Sequence, residues 1–266
     1  MKNFKNKKTT VEVYNKLLKY PPFASKRLVG TMKIVHNLAG GKSITTIAPE
    51  YVTTEDAEKL YILCFFAQKN KSYHIIETEN FGKIVELSAE INDIRKMSNN
   101  NNDEHIINSL KRIKQITIHF EFKNKKRSTG VIHDIIYDPK TGKINVLMSV
   151  KMFNNFANKA LTLDIANYAK MTPGTKNLYS FIISNSGDKF KEDLMIERAV
   201  IQAGRKDTAQ RILKENLNEL KENHIIIDFE ITKKDRKRYI NIRKNRGNEL
   251  STAGGKHYPQ QVEKQI

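Results

Sequence analysis

Two stretches of this chain make the same local statement. Residues 106–122 read IINSLKRIKQITIHFEF, and residues 212–231 read ILKENLNELKENHIIIDFEI. In each, apolar residues at helical spacing give way almost at once to strict alternation, so an amphipathic helix feeds a half-buried strand. Each strand is followed by a basic turn and a second strand. Upstream of each lies a further helix with a Leu-Tyr pair, DAEKLYILCFFAQ at 56–68 and GTKNLYSFIISNS at 174–186. For a chain of 266 residues, the repetition favours two domains of ordinary size over one large one.

Helices that end in a hairpin with a Lys/Arg-rich turn form the pattern of a winged helix, and winged helices mostly bind DNA. The expected fold is therefore α+β: two tandem winged-helix domains, each a three-helix core with a β-hairpin wing. The expected division is a basic N-terminal arm and lead-in at 1–30, a first domain at 31–151, a second at 152–246 and a disordered tail at 247–266. The halves match in pattern and not in letters. The Asn-rich loop at 99–102 and a short strand at 71–77 lengthen the first.

Local signals place the remaining elements. Residues 11–20 suggest a short helix stopping before Pro21-Pro22, and 33–47 mix β-prone runs around a Gly40-Gly41 turn. Thr53 or Thr54 caps a helix at 55–68, with Leu60, Leu63, Cys64 and Ala67 on its buried face. A helical region is expected at 81–97, then a helix striped by Ile106, Ile107, Leu110 and Ile113. Strand 116–122, a turn at 123–128, a returning strand at 130–137 and a third strand at 143–149 follow. In the second half helices are expected at 174–184, 190–202 and 207–223, the last with Asp207 and Gln210 as a capping box and Ala209, Leu213, Leu217 and Leu220 buried.

The formal charge of +18 draws polyanions, of which nucleic acid is the commonest soluble one. Abundant Lys, Asn and Ile point to a compositional bias that inflates Lys, but bias gives no reason for the cations to cluster. They cluster in two places. The helix at 207–223 turns Thr208, Arg211, Lys214, Glu215 and Asn218 away from its buried face, with Arg205, Lys206 and Gln210 at its start. Arg, Lys and Asn can reach base edges in the major groove, and the basic residues occupy the N-terminal half, as in a helix that enters a groove by that end. An ordinary solvated face also carries Lys, Glu and Asn. The second cluster is the turn Lys233-Lys234-Asp235-Arg236-Lys237-Arg238, with five cations in six residues. One or two would protect a sheet edge; five suit a phosphate backbone. The first half repeats the theme less intensely with Lys111, Arg112 and Lys114, then Lys123, Lys125, Lys126 and Arg127.

Enzyme readings fail on spacing. Gly41-Lys42-Ser43 lacks the upstream glycine of a phosphate-binding loop, since His36 stands there. The histidines at 36, 74, 105, 119, 133, 224 and 257 form no close pair, and one cysteine excludes a zinc finger. No catalytic residue, metal or cofactor is expected. Cys64, in LYILCFF, reads as a core residue, which excludes a disulfide framework and favours an intracellular location. No apolar run reaches membrane-spanning length, and MKNFKNKKTT reads as a flexible basic arm with no signal-peptide core.

Taken together, KNLYSFIISNS, RILKENLNELKENHIIIDFEI and KKDRKRYINIRKN resemble the initiator (Rep) proteins of iteron-containing plasmids, over residues 55–245. The resemblance implies binding to direct repeats at a plasmid origin, opening of an adjacent AT-rich segment, recruitment of host initiator and helicase, and repression of the protein's own gene. It implies major-groove reading by the second winged helix through Arg205, Lys206, Thr208, Arg211 and Lys214, with Lys233 to Arg238 on the backbone. It implies a homodimer through the first domain, and a cytoplasmic protein of the bacterial nucleoid or plasmid. A transcriptional regulator of the same fold and an accessory DNA-processing enzyme, such as a primase or nickase, stand as alternatives.

Overall fold

The computed structural model describes residues 10–14, 21–26, 28–38, 42–78, 82–100, 102–122, 125–149, 160–201 and 203–245. Residues 1–9 of the N-terminal arm, 15–20 of the lead-in, the C-terminal tail and the Gly40-Gly41 turn lie outside these residues. The architecture is α+β, with antiparallel sheets.

In chain order the first half comprises β1 (Thr10–Tyr14), β2 (Met32–Leu38), β3 (Lys42–Ala48), α1 (Thr54–Asn70), β4 (Tyr73–Thr78), β5 (Gly82–Glu90), α2 (Ile91–Ser98), α3 (Asp103–Lys114), β6 (Thr117–Phe122), β7 (Lys125–Gly130), β8 (Ile132–Asp138) and β9 (Lys143–Ser149). The second comprises β10 (Ala160–Asp164), α4 (Ile165–Lys170), α5 (Pro173–Ile183), β11 (Lys189–Lys191), α6 (Glu192–Arg198), α7 (Lys206–Glu222), β12 (Ile226–Lys234) and β13 (Lys237–Lys244).

The helix α1 is the axis of the molecule. Ala57, Leu60, Tyr61, Ile62, Leu63, Cys64, Phe65, Phe66 and Ala67 are all buried along it, so it is enclosed on every side and not along a single stripe. It packs against α3, β1, β5, α2, α4 and α5. Each large side chain so buried contributes about 1.5–3 kcal/mol relative to exposure. Asp56 caps it: its Oδ2 accepts the backbone N–H of Thr53 at 2.9 Å. Burial pushes the Cys64 thiol up to about 12, as suits a core cysteine.

Among the described residues two sheets are four-stranded, in the orders β2-β3-β6-β7 and β4-β5-β9-β8, and β5 of the second packs on α1. Their register explains several departures from expectation. The helix expected over 11–20 is, at 10–14, a strand pairing with β10 from Thr10↔Asp164 to Tyr14↔Ala160; the β-branched alternation of TVEVY finds an edge to join. The region 81–97 divides into strand β5 and helix α2, because β5 lies between β4 and β9 and its backbone is paired on both sides. The basic turn expected over 123–128 is shorter, since Lys125–Gly130 already pairs with β6. The returning strand splits at Val131 into β7 and β8, which belong to different sheets.

In the second half, 190–202 divides into β11 and α6, and the strands order as β11-β13-β12. The turn of the last hairpin contracts to Asp235 and Arg236, flanked by Lys234↔Lys237 and Lys233↔Arg238. Both turn residues take left-handed backbone, φ 51° and 61°, which matches a two-residue turn to the strand twist without the usual glycine. The helix α5 lies close on α7: a Cβ at Gly174 would stand 3.0 Å from Asn216 Nδ2. One hydrophobic core runs through both halves, from Phe23 and Ile44 to Leu213 and Ile242.

Candidate nucleic-acid interface

The helix α7 buries Ala209, Leu213, Leu217 and Leu220, together with Asn216. That orientation leaves Arg211, Lys214, Glu215 and Asn218 exposed and Thr208 half-buried. Arg205 is the N-cap residue and Lys206 the first helical one; both are exposed. The expected Asp207/Gln210 capping box does not form. The Gln210 amide instead donates to Glu192 Oε2 at 2.6 Å, because Gln210 faces the first turn of α6.

Glu192 also takes the turn end of the hairpin, at Arg238, two positions past the turn. Its Oε1 stands 2.8 Å from Arg238 Nε, and its side chain is only 2% exposed. One carboxylate thus joins α7, α6 and β13. Arg238, grouped by sequence with the turn cations, is half-buried and committed to this pair. At the other end of α7, Glu219 accepts from the Thr172 amide at 2.7 Å and the Thr175 hydroxyl at 2.6 Å, fixing the helix to the start of α5. Sequence reasoning missed both glutamates.

The cations on this surface differ in how free they are. Lys206 pairs with Asp193 at 3.0 Å and Arg211 with Glu215 at 2.6 Å, both in the open where an ion pair contributes little and is easily exchanged for a phosphate. Arg205, Lys214, Lys233, Lys234, Arg236 and Lys237 are exposed, and among the described residues none has a carboxylate partner. Beside them β11 adds Lys189, which lies over the Tyr239 ring at 5.0 Å.

In the first half the residues scatter. Arg112 departs from the expected DNA face: it turns inward and its Nη2 donates to Asp56 Oδ1 at 2.6 Å, with Asp56 1% exposed. The reason is that Asp56, already held at the start of α1, needs a counter-charge, and α3 packs on that helix. Lys111 is exposed, and Lys114 pairs with Asp134 at 2.7 Å. Lys126 pairs with Glu121 at 3.2 Å on exposed sheet, beside exposed Arg127. Lys123 and the side chain of Lys125 lie outside the described residues. The start of α3 is acidic, Asp103-Glu104, opposite in sign to the start of α7.

Among the described residues no cluster of His, Cys, Asp and Glu could hold a metal, and no helix is long and apolar enough to cross a membrane. No family model matches the chain, and no curated protein matches it. Among solved structures, the crystal structure of selenomethionine derivatives of domains 2 and 3 of RctB is similar in fold, with a TM-score of 0.56. The two share 12% identity, and the match covers 87% of this chain and 98% of that one.

Proposed function

We propose that the chain is a sequence-specific double-stranded DNA-binding protein that initiates replication from repeated origin sites. The observation that carries this is the surface made by α7 and the hairpin β12–β13, where six exposed cations stand with no carboxylate partner among the described residues. Cations so placed are available to displace counterions from phosphates. Arg211, Lys214 and Asn218 on the open face of α7 would meet base edges, and Lys233 to Lys237 the backbone.

The order α5, β11, α6, α7, β12, β13, with β11 beside β13, follows that of a winged helix. The first half has α1, α2, α3, β6 and β7 in the same succession, with β4 and β5 inserted between α1 and α2 and placed in a separate sheet, and with β2 and β3 extending the sheet of β6 and β7. This supports a tandem reading with unequal roles. The resemblance of the sequence to plasmid initiators supports origin binding in particular; the likeness to domains 2 and 3 of RctB concerns the fold. Self-association fits the first half, whose outermost strand β4 exposes Ile75 and Ile76. A second copy laid antiparallel on that edge would set Ile75 opposite Ile76 and His74 opposite Glu77, so YHIIET is self-complementary.

A footprint on the DNA flanking the gene tests the reading. Directly repeated protected sites beside an AT-rich segment are expected. Protection at the promoter alone would favour a transcriptional regulator of the same fold, and equal affinity for random duplex would overturn sequence reading altogether.

A further inference from the structure

Glu192 is a carboxylate set into the most cationic part of the molecule, on a surface argued to receive a polyanion. A carboxylate exposed there would repel phosphate. This one is buried, and each of its oxygens faces a residue from a different element: Oε2 accepts from the amide of Gln210 in α7 at 2.6 Å, and Oε1 forms an ion pair with the guanidinium of Arg238 in β13, 2.8 Å from an Nε that makes no hydrogen bond. One further side-chain pair ties the helix to the hairpin, Lys221 Nζ to Asp228 Oδ1 of β12 at 2.9 Å, and it lies in the open at the far end of α7; Lys206 pairs with Asp193 of α6, and Arg211 with Glu215 within α7. Asp193, the next residue, pairs with Lys206, so the start of α6 faces both parts of the surface.

We infer that Glu192 is a positioning residue for DNA recognition, fixing the hairpin relative to α7 so that backbone and base contacts are made in one register. This rests on the DNA-binding reading above and names what sets its specificity. Reading a base edge requires the helix to sit at one depth and angle in the groove, and phosphate contacts from the hairpin are what impose that placement. Loosening the joint leaves every cation in place. The electrostatic part of binding therefore survives while discrimination is lost.

The test uses the full chain with Glu192→Gln, which keeps the shape and one acceptor, and Gln210→Met, which leaves the ion pair intact. The probes are a duplex selected by the wild-type chain from a randomised pool and a random duplex of equal length. Expected for Glu192→Gln is a fall of roughly tenfold or more in the ratio of the two affinities, with random-duplex affinity held within about twofold. Amide exchange across Ile226–Lys244 in the free protein should rise while exchange in α1 stays unchanged. Gln210→Met should lower the ratio by a smaller factor. Equal loss for both duplexes, or hairpin exchange unaltered in Glu192→Gln, overturns the inference. If the wild-type chain selects no duplex, the DNA reading itself fails, and the exchange comparison still decides whether Glu192 holds the hairpin.

Discussion

Arg238 Nε stands 2.8 Å from Glu192 Oε1, so a strand of the terminal hairpin is charge-locked to the start of α6. Removing the arginine leaves a 2%-exposed carboxylate with only an amide for company. Arg238→Ala should therefore cost about 2–3 kcal/mol of stability, read as a lowered midpoint in urea. Lys233→Ala, directly across the hairpin from Arg238 but exposed, should change stability by less than about 0.5 kcal/mol. Similar costs for the two would refute the lock.

The same contrast exists in α3. Arg112 donates to Asp56 through Nε at 3.2 Å and Nη2 at 2.6 Å, while neighbouring Lys111 is exposed. Arg112→Ala strands a buried carboxylate that also caps α1, and should destabilise by about 3–5 kcal/mol. Lys111→Ala should be nearly neutral. Neither change should abolish sequence preference in those molecules that remain folded.

Duplex binding should be steeply salt-dependent. If the six unpaired cations each meet a phosphate, log Kd changes by roughly five per decade of salt. Replacing Lys234 or Lys237 by Ala should reduce that slope by about one, uniformly across sequences. Arg211→Ala should instead cost about 1–3 kcal/mol on the preferred site and far less on random duplex. Titrations at several salt concentrations separate the two classes, and a flat salt response would count against the interface.

His36 supplies a pH dependence. Its Nε2 lies 2.9 Å from the Pro21 carbonyl, and burial, with Arg198 nearby, lowers its pKa from the ordinary 6.5 to about 4. The folded state therefore holds the neutral ring, and the unfolded state binds the proton first as pH falls. Stability should be unaffected above about pH 6.5 and decline between 6.5 and 4, by up to roughly 1.4 kcal/mol per unit. His36→Gln should flatten the profile in that window; an unchanged slope would assign it to other groups.

Self-association through β4 predicts that Ile75→Lys shifts sedimentation to the monomer with little change in melting, since Ile75 is 55% exposed. A dimer unaffected by this change, or a wild-type chain that is monomeric at all concentrations, would place the partner surface elsewhere.

The second half was the more legible from sequence because its elements are decided locally. The stripe of α7 and the alternation of β12 state their own periods, and Ala209, Leu213, Leu217 and Leu220 are buried as expected. The first half is decided by pairing at a distance. Gly82–Glu90 looks helical until β4 and β9 are laid on either side of it, and Thr10–Tyr14 needs β10, far along the chain, to become a strand. The interface was legible as charge but not as wiring. Arg112 and Lys111 are adjacent cations in sequence, and only the position of Asp56 tells which one is structural. Glu192 gave no signal, because an acidic residue at the start of a helix is ordinary.

The seam between the halves is held by groups that leave little slack. Asn177 donates to the Phe23 carbonyl at 2.9 Å, Thr54 to that of Pro173 at 3.1 Å, and Lys176 meets Glu58 among residues no more than 5% exposed. Two readers joined by a floppy tether tolerate almost any gap between their targets. A chain joined in this way behaves as a caliper: the distance from the first half to the surface of α7 and the hairpin is built in, so on the proposed DNA-binding reading whatever each half meets must lie at one fixed separation.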